Sequence, residues 1–213
     1  MQNRAALAIM LKCPKPGEVK TRLVPPLSYG EAAGLYGAFL KDIFAKVSVL
    51  RHMDIYAACA PEGAEGILEI IPRDIVVFFQ EGGTLGERMY NVFKDLFGKG
   101  YRAVVVIGSD SPDIPAEYFK DAEDALLEAD LVLGPADDGG YYLIAMKELS
   151  KLPFEGILWS TGTVLQDTLK KAGAALSVKL ISPWHDIDRI EDVRLIKESG
   201  APQSYRYIKA LGL

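Results

Sequence analysis

The 213-residue sequence has little sulfur and little histidine: two cysteines, Cys13 and Cys59, and two histidines, His52 and His185. The cysteines form neither a disulfide framework nor a metal-ligand spacing. The histidines lie too far apart in sequence to indicate a zinc pair, and His185 reads as structural. No apolar run approaches the ~20 residues of a membrane span. Ala5–Leu11 is shorter than a signal-peptide core and runs into Lys12-Cys13-Pro14, not a small-residue cleavage site. A cytoplasmic chain without membrane insertion is the expectation. The net charge of −5 is offset by no long basic run, which argues against nucleic-acid binding. Repeats and low-complexity tracts are lacking. Three motif absences narrow the chemistry further. There is no G-x-x-x-x-G-K-[ST], no G-x-G-x-x-G after the first apolar run, and no G-x-S-x-G. Walker-type phosphate binding, dinucleotide binding and the hydrolase elbow are thereby set aside.

What is present is a quarter charged and nearly half hydrophobic, enough for a sizeable core. Strands are predicted at Ala5–Met10, Ile55–Ala60, Val76–Gln80, Ala103–Ile107, Leu131–Gly134, Tyr141–Met146 and Ser177–Ile181. Capping boxes open helices at Ser28/Glu31, Thr84/Glu87 and Asp188/Glu191, the last running to Gly200. Further helices are predicted near Ala64–Ile70, over Ala116–Glu128, from Ser160 to Ala172, and in the tail Tyr205–Leu211. Apolar stripes at Ala32, Leu35, Phe39, Ile43, Val47 and at Leu85, Met89, Val92, Phe93, Leu96 face a core. Too few residues separate Gly134 from Tyr141 for a crossover, so one antiparallel strand enters an otherwise parallel sheet. Helix and strand alternate without a linker, giving a single three-layer α/β/α domain over residues 1–213.

Chemistry-bearing residues cluster after strands, where open α/β sheets bind ligands. The loop after the first strand carries Lys12, Lys20 and Arg22, with Gly17 allowing close backbone approach; such a set can hold a di- or triphosphate. The bland alternative is a solvated loop. Gln80-Glu81-Gly82-Gly83-Thr84 opens a helix whose orphan amides suit an anion or a base edge. Thr84 and Glu87 are explained by the capping box, whereas Gly86 in the first turn implies close approach by something. Asp110 follows the fourth strand and is either a turn cap or a ligand. In Asp137-Asp138-Gly139-Gly140 the turn needs only one aspartate, which leaves the other for a cation or a sugar hydroxyl. Asp188 follows the last strand and doubles as a helix N-cap. Asp110 and Asp188 together suit Mg2+ or Mn2+. Trp159-Ser160-Thr161 can stack on and hydrogen-bond a sugar, although Ser160 also reads as an N-cap; Tyr141 and Tyr142 read as strand residues.

The runs K-C-P-K-P-G-E-V-K-T-R-L at 12–23, Q-E-G-G-T-L-G-E-R-M at 80–89 and V-V-V-I-G-S-D-S-P-D-I-P at 104–115 resemble a bacterial family of glycosyltransferases associated with radical-SAM and selenoprotein-like domains. L-G-P-A-D-D-G-G-Y-Y-L at 133–143, L-W-S-T-G-T-V at 158–164 and H-D-I-D-R-I-E-D-V at 185–193 continue the resemblance in order. The resemblance implies a nucleotide-diphospho-sugar transferase fold of the GT-A-like kind, with a nucleotide over the sheet's carboxyl edge. It implies that Lys20 and Arg22 touch phosphates, that Gln80–Arg88 lines the nucleotide site, and that Asp110 and Asp188 bind metal. The chain departs from classical metal-dependent glycosyltransferases in reading S-D-S, not D-x-D, after the fourth strand.

The expected nucleotide site comprises Lys12, Gly17, Lys20, Arg22, Gln80, Gly83, Gly86 and Arg88. Asp110 and Asp138 stand at the reacting centre, and Asp137, Gly139, Gly140, Trp159, Ser160 and Thr161 stand around the sugar or acceptor. Three readings remain open: a glycosyltransferase using a nucleotide sugar, a nucleotidyltransferase coupling an NTP to a small acidic or phosphorylated acceptor, and a non-catalytic nucleotide-binding module. Oligomeric state is not legible.

Overall fold

Among the described residues, seven strands form one sheet, in the order β3-β2-β1-β4-β6-β5-β7. The computed structural model describes residues 4–61 and 66–213. The strands are β1 (Ala5–Leu11), β2 (Met53–Cys59), β3 (Val76–Phe79), β4 (Ala103–Ile107), β5 (Leu131–Pro135), β6 (Tyr141–Met146) and β7 (Val178–Leu180). The helices are α1 (Tyr29–Val47), α2 (Leu85–Gly98), α3 (Glu117–Ala125), α4 (Val164–Ala172) and α5 (Pro202–Ala210). Only β6 runs antiparallel to its neighbours, β4 and β5; every other pairing is parallel. The α/β architecture with one antiparallel strand is therefore as the sequence indicates.

Alternation along β1 sorts the two faces. Leu7, Ile9 and Leu11 point into a core shared with α1, α3 and α5. Ala6 and Ala8 point the other way, and with Ala58 they make room for Met89, Val92, Phe93 and Leu96 of α2. Large side chains under α1 and small ones under α2 thus place a helix on each face of the same strand. Leu85, expected on the core-facing stripe, is 45% exposed at the first turn of α2.

Both helices carry the capping boxes expected of them, at Ser28/Glu31 and Thr84/Glu87. Other boundaries shift for local reasons. The segment from Ser160 does not begin a helix, because Ser160 sits in the left-handed region at φ 64°; α4 starts at Val164. The helix predicted to Glu128 ends at Ala125. The tail helix begins earlier, at Pro202, because the buried carboxylate of Asp42 on α1 accepts hydrogen bonds from the Gln203 and Ser204 amides at 2.9 and 2.8 Å. Of the helix predicted near 64–70, residues 64 and 65 lie outside the described residues, and Ile67–Glu69 is one 3-10 turn.

The largest correction concerns Asp188. No capping box forms there: the Asp192 carboxylate accepts the Asp188 and Arg189 amides at 3.1 and 2.7 Å, and only a 3-10 turn, Asp192–Leu195, follows. Relieved of a capping duty, the Asp188 side chain points elsewhere. Because β1 to β5 and β7 run in one direction, the loops after β1, β3, β4, β5 and β7 gather at a single carboxyl edge.

Candidate active site

Lys20 is the centre of that edge. Its side chain is only 4% exposed and forms ion pairs with Asp110 and, at 3.0 Å, with Asp188 Oδ1. It also donates to the Ile187 carbonyl at 2.7 Å, and the Phe39 ring lies below it at 5.6 Å. Its backbone is left-handed, at φ 47°, in a position that does not use glycine. Arg22, much more exposed, donates through Nη1 to Asp188 Oδ2 at 3.0 Å. Four residues chosen from sequence on separate grounds, Lys20, Arg22, Asp110 and Asp188, are thus in direct contact.

The turn after β4 assigns each polar side chain its own partner. Ser109 shares a 2.7 Å hydrogen bond with the Tyr36 hydroxyl, which also accepts from the Lys12 amide at 3.1 Å. Asp110 pairs with Lys20. Ser111 donates to Asp186 Oδ1 at 2.6 Å. Asp113 accepts from Trp184 Nε1 at 3.3 Å and lies 2.9 Å from His185 Nε2. His185 is therefore structural, stacked on Trp184 and tied to Asp113. Ile187 donates its amide to the Asp110 carbonyl at 2.9 Å, which joins the two metal-candidate loops along the main chain. Asp110 is not a simple turn cap.

Tyr36, Ser111 and Asp186 are among the residues here that lie outside the expected site. Tyr36 lies within the apolar stripe of α1, so nothing local marks it. Asp186 was visible beside Asp188, but burial separates their roles. Burial pushes the Asp186 carboxyl up to about 6, with Asp110 and Asp138 adding to the rise while Ser111 and Lys20 oppose it. Burial also acts to raise Asp188, but Lys20 and Arg22 outweigh it and hold that carboxyl below its ordinary range. At Lys20 burial acts to lower the value, and Asp110 and Asp188 more than reverse it.

The sign for Asp186 follows directly. A carboxyl whose native value exceeds its unfolded one destabilises the native state increasingly as pH climbs from ~4 to about 6, and the cost stays constant above. Asp186→Asn removes the charge. In metal-free buffer it should gain on the order of 2 kcal/mol over wild type at pH 8 and almost nothing at pH 4, in urea unfolding. Equal differences at the two pH values would refute the assignment.

The segment after β3 behaves differently from its expectation. Glu87 Oε2 accepts the Gly83 amide at 2.7 Å and the Thr84 amide at 3.2 Å, so these amides of the α2 terminus are already engaged by a carboxylate. Gln80 is buried and donates to the carbonyls of Ala58 at 2.7 Å and Leu11 at 3.4 Å, so its amide nitrogen ties strand ends together. Arg88 Nε donates to the Gly82 carbonyl at 3.1 Å and braces the same loop. Gly86 has a plain cause: a Cβ there would lie 2.7 Å from the Trp159 indole. The close approach read from sequence is by Trp159, which also meets Tyr141 edge-on at 6.5 Å.

The Asp137–Gly140 turn packs on the same returning segment. Asp138 Oδ1 accepts the Gly140 amide at 2.8 Å, and Gly139, at φ 88°, lies against the Gly162 carbonyl. Thr161 donates to the Leu158 carbonyl at 2.8 Å. Asp137 and Ser160 are exposed, as are Lys12 and Gly17 in the loop after β1. The candidate residues therefore fall into an ionic group around Lys20 and a second group around Trp159 and Gly139, with the charge of Asp138 felt at Asp186.

The chain belongs to a family described as an uncharacterized protein conserved in bacteria (DUF2064), whose model matches residues 43–161. It is similar over 98% of its length, at 31% identity and a TM-score of 0.89, to a Desulfovibrio desulfuricans G20 protein provisionally named a nucleotide-diphospho-sugar transferase, 95% of which is covered. Two further solved structures share the fold. One is the 4-diphosphocytidyl-2C-methyl-D-erythritol synthase of Anaerococcus prevotii DSM 20548, at 14% identity and TM-score 0.61, with 96% of each chain covered. The other is a CMP:2-keto-3-deoxy-manno-octonic acid synthetase in complex with CTP, at 8% identity and TM-score 0.60, covering 99% of this chain and all of that one. No curated protein matches the sequence. The fold is that of the nucleotide-diphospho-sugar transferases.

Proposed function

We propose that the chain is a cytoplasmic transferase that takes a nucleotide-diphospho-sugar as donor and a small molecule as acceptor, with Mg2+ or Mn2+ held by Asp110 and Asp188. One observation carries this reading: carboxylates from two different strand ends converge on a single cationic centre at the carboxyl edge, with an arginine beside them. Two carboxylate oxygens meeting at one point form the partial donor set that such ions complete with phosphates and water. The charge balance supports it as well. Lys20 and Arg22 are already neutralised by Asp110 and Asp188, so a diphosphate needs an additional cation to be held there. When bound, the ion neutralises the departing diphosphate.

Other roles follow from position. Arg22 keeps unused guanidinium donors for phosphate oxygens. The Gln80–Arg88 loop and Gly17 form walls of the nucleotide cleft, with Lys12 at its mouth. Trp159, Ser160, Thr161, Asp137, Gly139 and Gly140 flank the sugar and acceptor, and Asp138 is the carboxylate available to an acceptor hydroxyl. This reading extends the resemblance to the radical-SAM-associated glycosyltransferases.

Nucleotidyl transfer is the second reading, favoured by the fold shared with two synthases, one of them holding CTP. The products separate the two. Glycosyl transfer from a nucleotide sugar releases nucleoside diphosphate and no pyrophosphate. Nucleotidyl transfer from an NTP releases pyrophosphate. Incubation with both donor classes and Mn2+ is expected to yield nucleoside diphosphate only; pyrophosphate from an NTP would replace the first reading with the second.

A further inference from the structure

We infer that Lys20 is a tethered cation that occupies the Asp110–Asp188 site until a divalent ion displaces it, nucleotide phosphate then taking up the released ammonium. The inference rests on the reading above, and adds that metal and nucleotide bind as a coupled pair.

An ammonium has three N–H donors, and Lys20 spends them on Asp110, Asp188 Oδ1 and the Ile187 carbonyl. None remains for a phosphate. The lysine that the resemblance assigns to phosphate therefore cannot serve it from this position. The same ammonium stands where the two carboxylates would share a divalent ion, and two cations cannot occupy one point. An ion shared between Asp110 Oδ1 and Asp188 Oδ1 takes the place of Lys20, and phosphate contact by Lys20 requires that it leave.

Eviction without a new partner is costly, because the side chain is almost wholly enclosed and would lose two carboxylates. A nucleotide phosphate supplies that partner once the metal takes the old ones. The left-handed backbone at Lys20 lies in the turn that would carry the movement. Arg22 stays on the exposed side of Asp188 throughout and does not compete for the shared centre. By linkage, whatever the nucleotide gains from bound metal, the metal gains from bound nucleotide.

Lys20→Met removes the competitor. Titrated with Mn2+ alone, by the electron paramagnetic resonance signal of the free ion, this variant should bind roughly 10-fold or more tightly than wild type. A nucleoside diphosphate should then increase Mn2+ affinity less in the variant than in wild type. A measurement on the wild-type chain guards against a variant that does not fold: acetylation of Lys20 by an N-hydroxysuccinimide ester, followed by mass spectrometry. Lys20 should be protected in the free protein and become reactive when Mn2+ saturates. Equal Mn2+ affinity in variant and wild type, or Mn2+ binding with Lys20 still protected, overturns the exchange while leaving the metal reading intact. Failure of Mn2+ to bind either form, with or without nucleotide, removes the metal reading itself.

Discussion

Asp110→Ala should lose turnover by at least ~100- to 1,000-fold, the scale of removing one preorganised electrostatic group from a reacting centre, while remaining folded. The small stability effect is the informative half. Breaking a buried pair by deleting one partner ordinarily costs about 3–5 kcal/mol, because a charge is stranded. Here Lys20 keeps Asp188 at 3.0 Å and the Ile187 carbonyl at 2.7 Å, and the Asp110 side chain is itself 48% exposed. A loss within about 2 kcal/mol is expected, which is a few degrees in melting temperature for a chain of this size. Turnover within tenfold of wild type, once an activity is in hand, would make the Lys20–Asp110 pair a structural clasp and would favour a non-catalytic nucleotide-binding module.

Gly139→Ala should have the largest effect on stability of any single methyl addition at the edge. Its Cβ would stand 2.1 Å from the Gly162 carbonyl oxygen and 2.7 Å from that carbonyl carbon, so main chain must move. The position also lies at φ 88°, where an L side chain is disfavoured by ~1–2 kcal/mol. With overpacking adding about 1–3 kcal/mol, the expected loss is roughly 2–5 kcal/mol. That corresponds to a drop of about 5–15 °C in melting temperature. Activity should fall further, because the displaced segment carries Trp159 away from Gly86 and Tyr141. Gly17→Ala is the matched control: it shares a positive φ, 81°, but has open space around the new methyl. It should cost only the conformational part, about 1–2 kcal/mol. If both variants melt together, the contact with Gly162 is not what the glycine serves.

The ionic group was legible because its members carry their signal locally. Lys20 and Arg22 sit in a loop dense in cations, and Asp110 and Asp188 each follow a predicted strand. What the sequence hid depends on partners distant along the chain. Tyr36 looks like core until Ser109 is seen against its hydroxyl, and Ser111 looks like turn chemistry until Asp186 is found beside it. Asp188 was misread as a cap because its spacing to Glu191 matches a capping box, whereas Asp192 competes successfully for the amides. The α2 terminus shows the converse. Its capping box is legible, but that the same Glu87 carboxylate also reaches the Gly83 amide is not. Fold class survived such errors because it depends on strand alternation and connection length, which many residues specify together.

Calorimetric titration of a nucleoside diphosphate in Mn2+ buffer, into wild type and into a chain carrying Asp110→Asn and Asp188→Asn, tests the central claim most directly. Wild type should bind one nucleotide per chain only when Mn2+ is present, and the double variant should lose that metal-dependent binding. Nucleotide binding of equal strength in both proteins would contradict the placement of the site at Asp110 and Asp188.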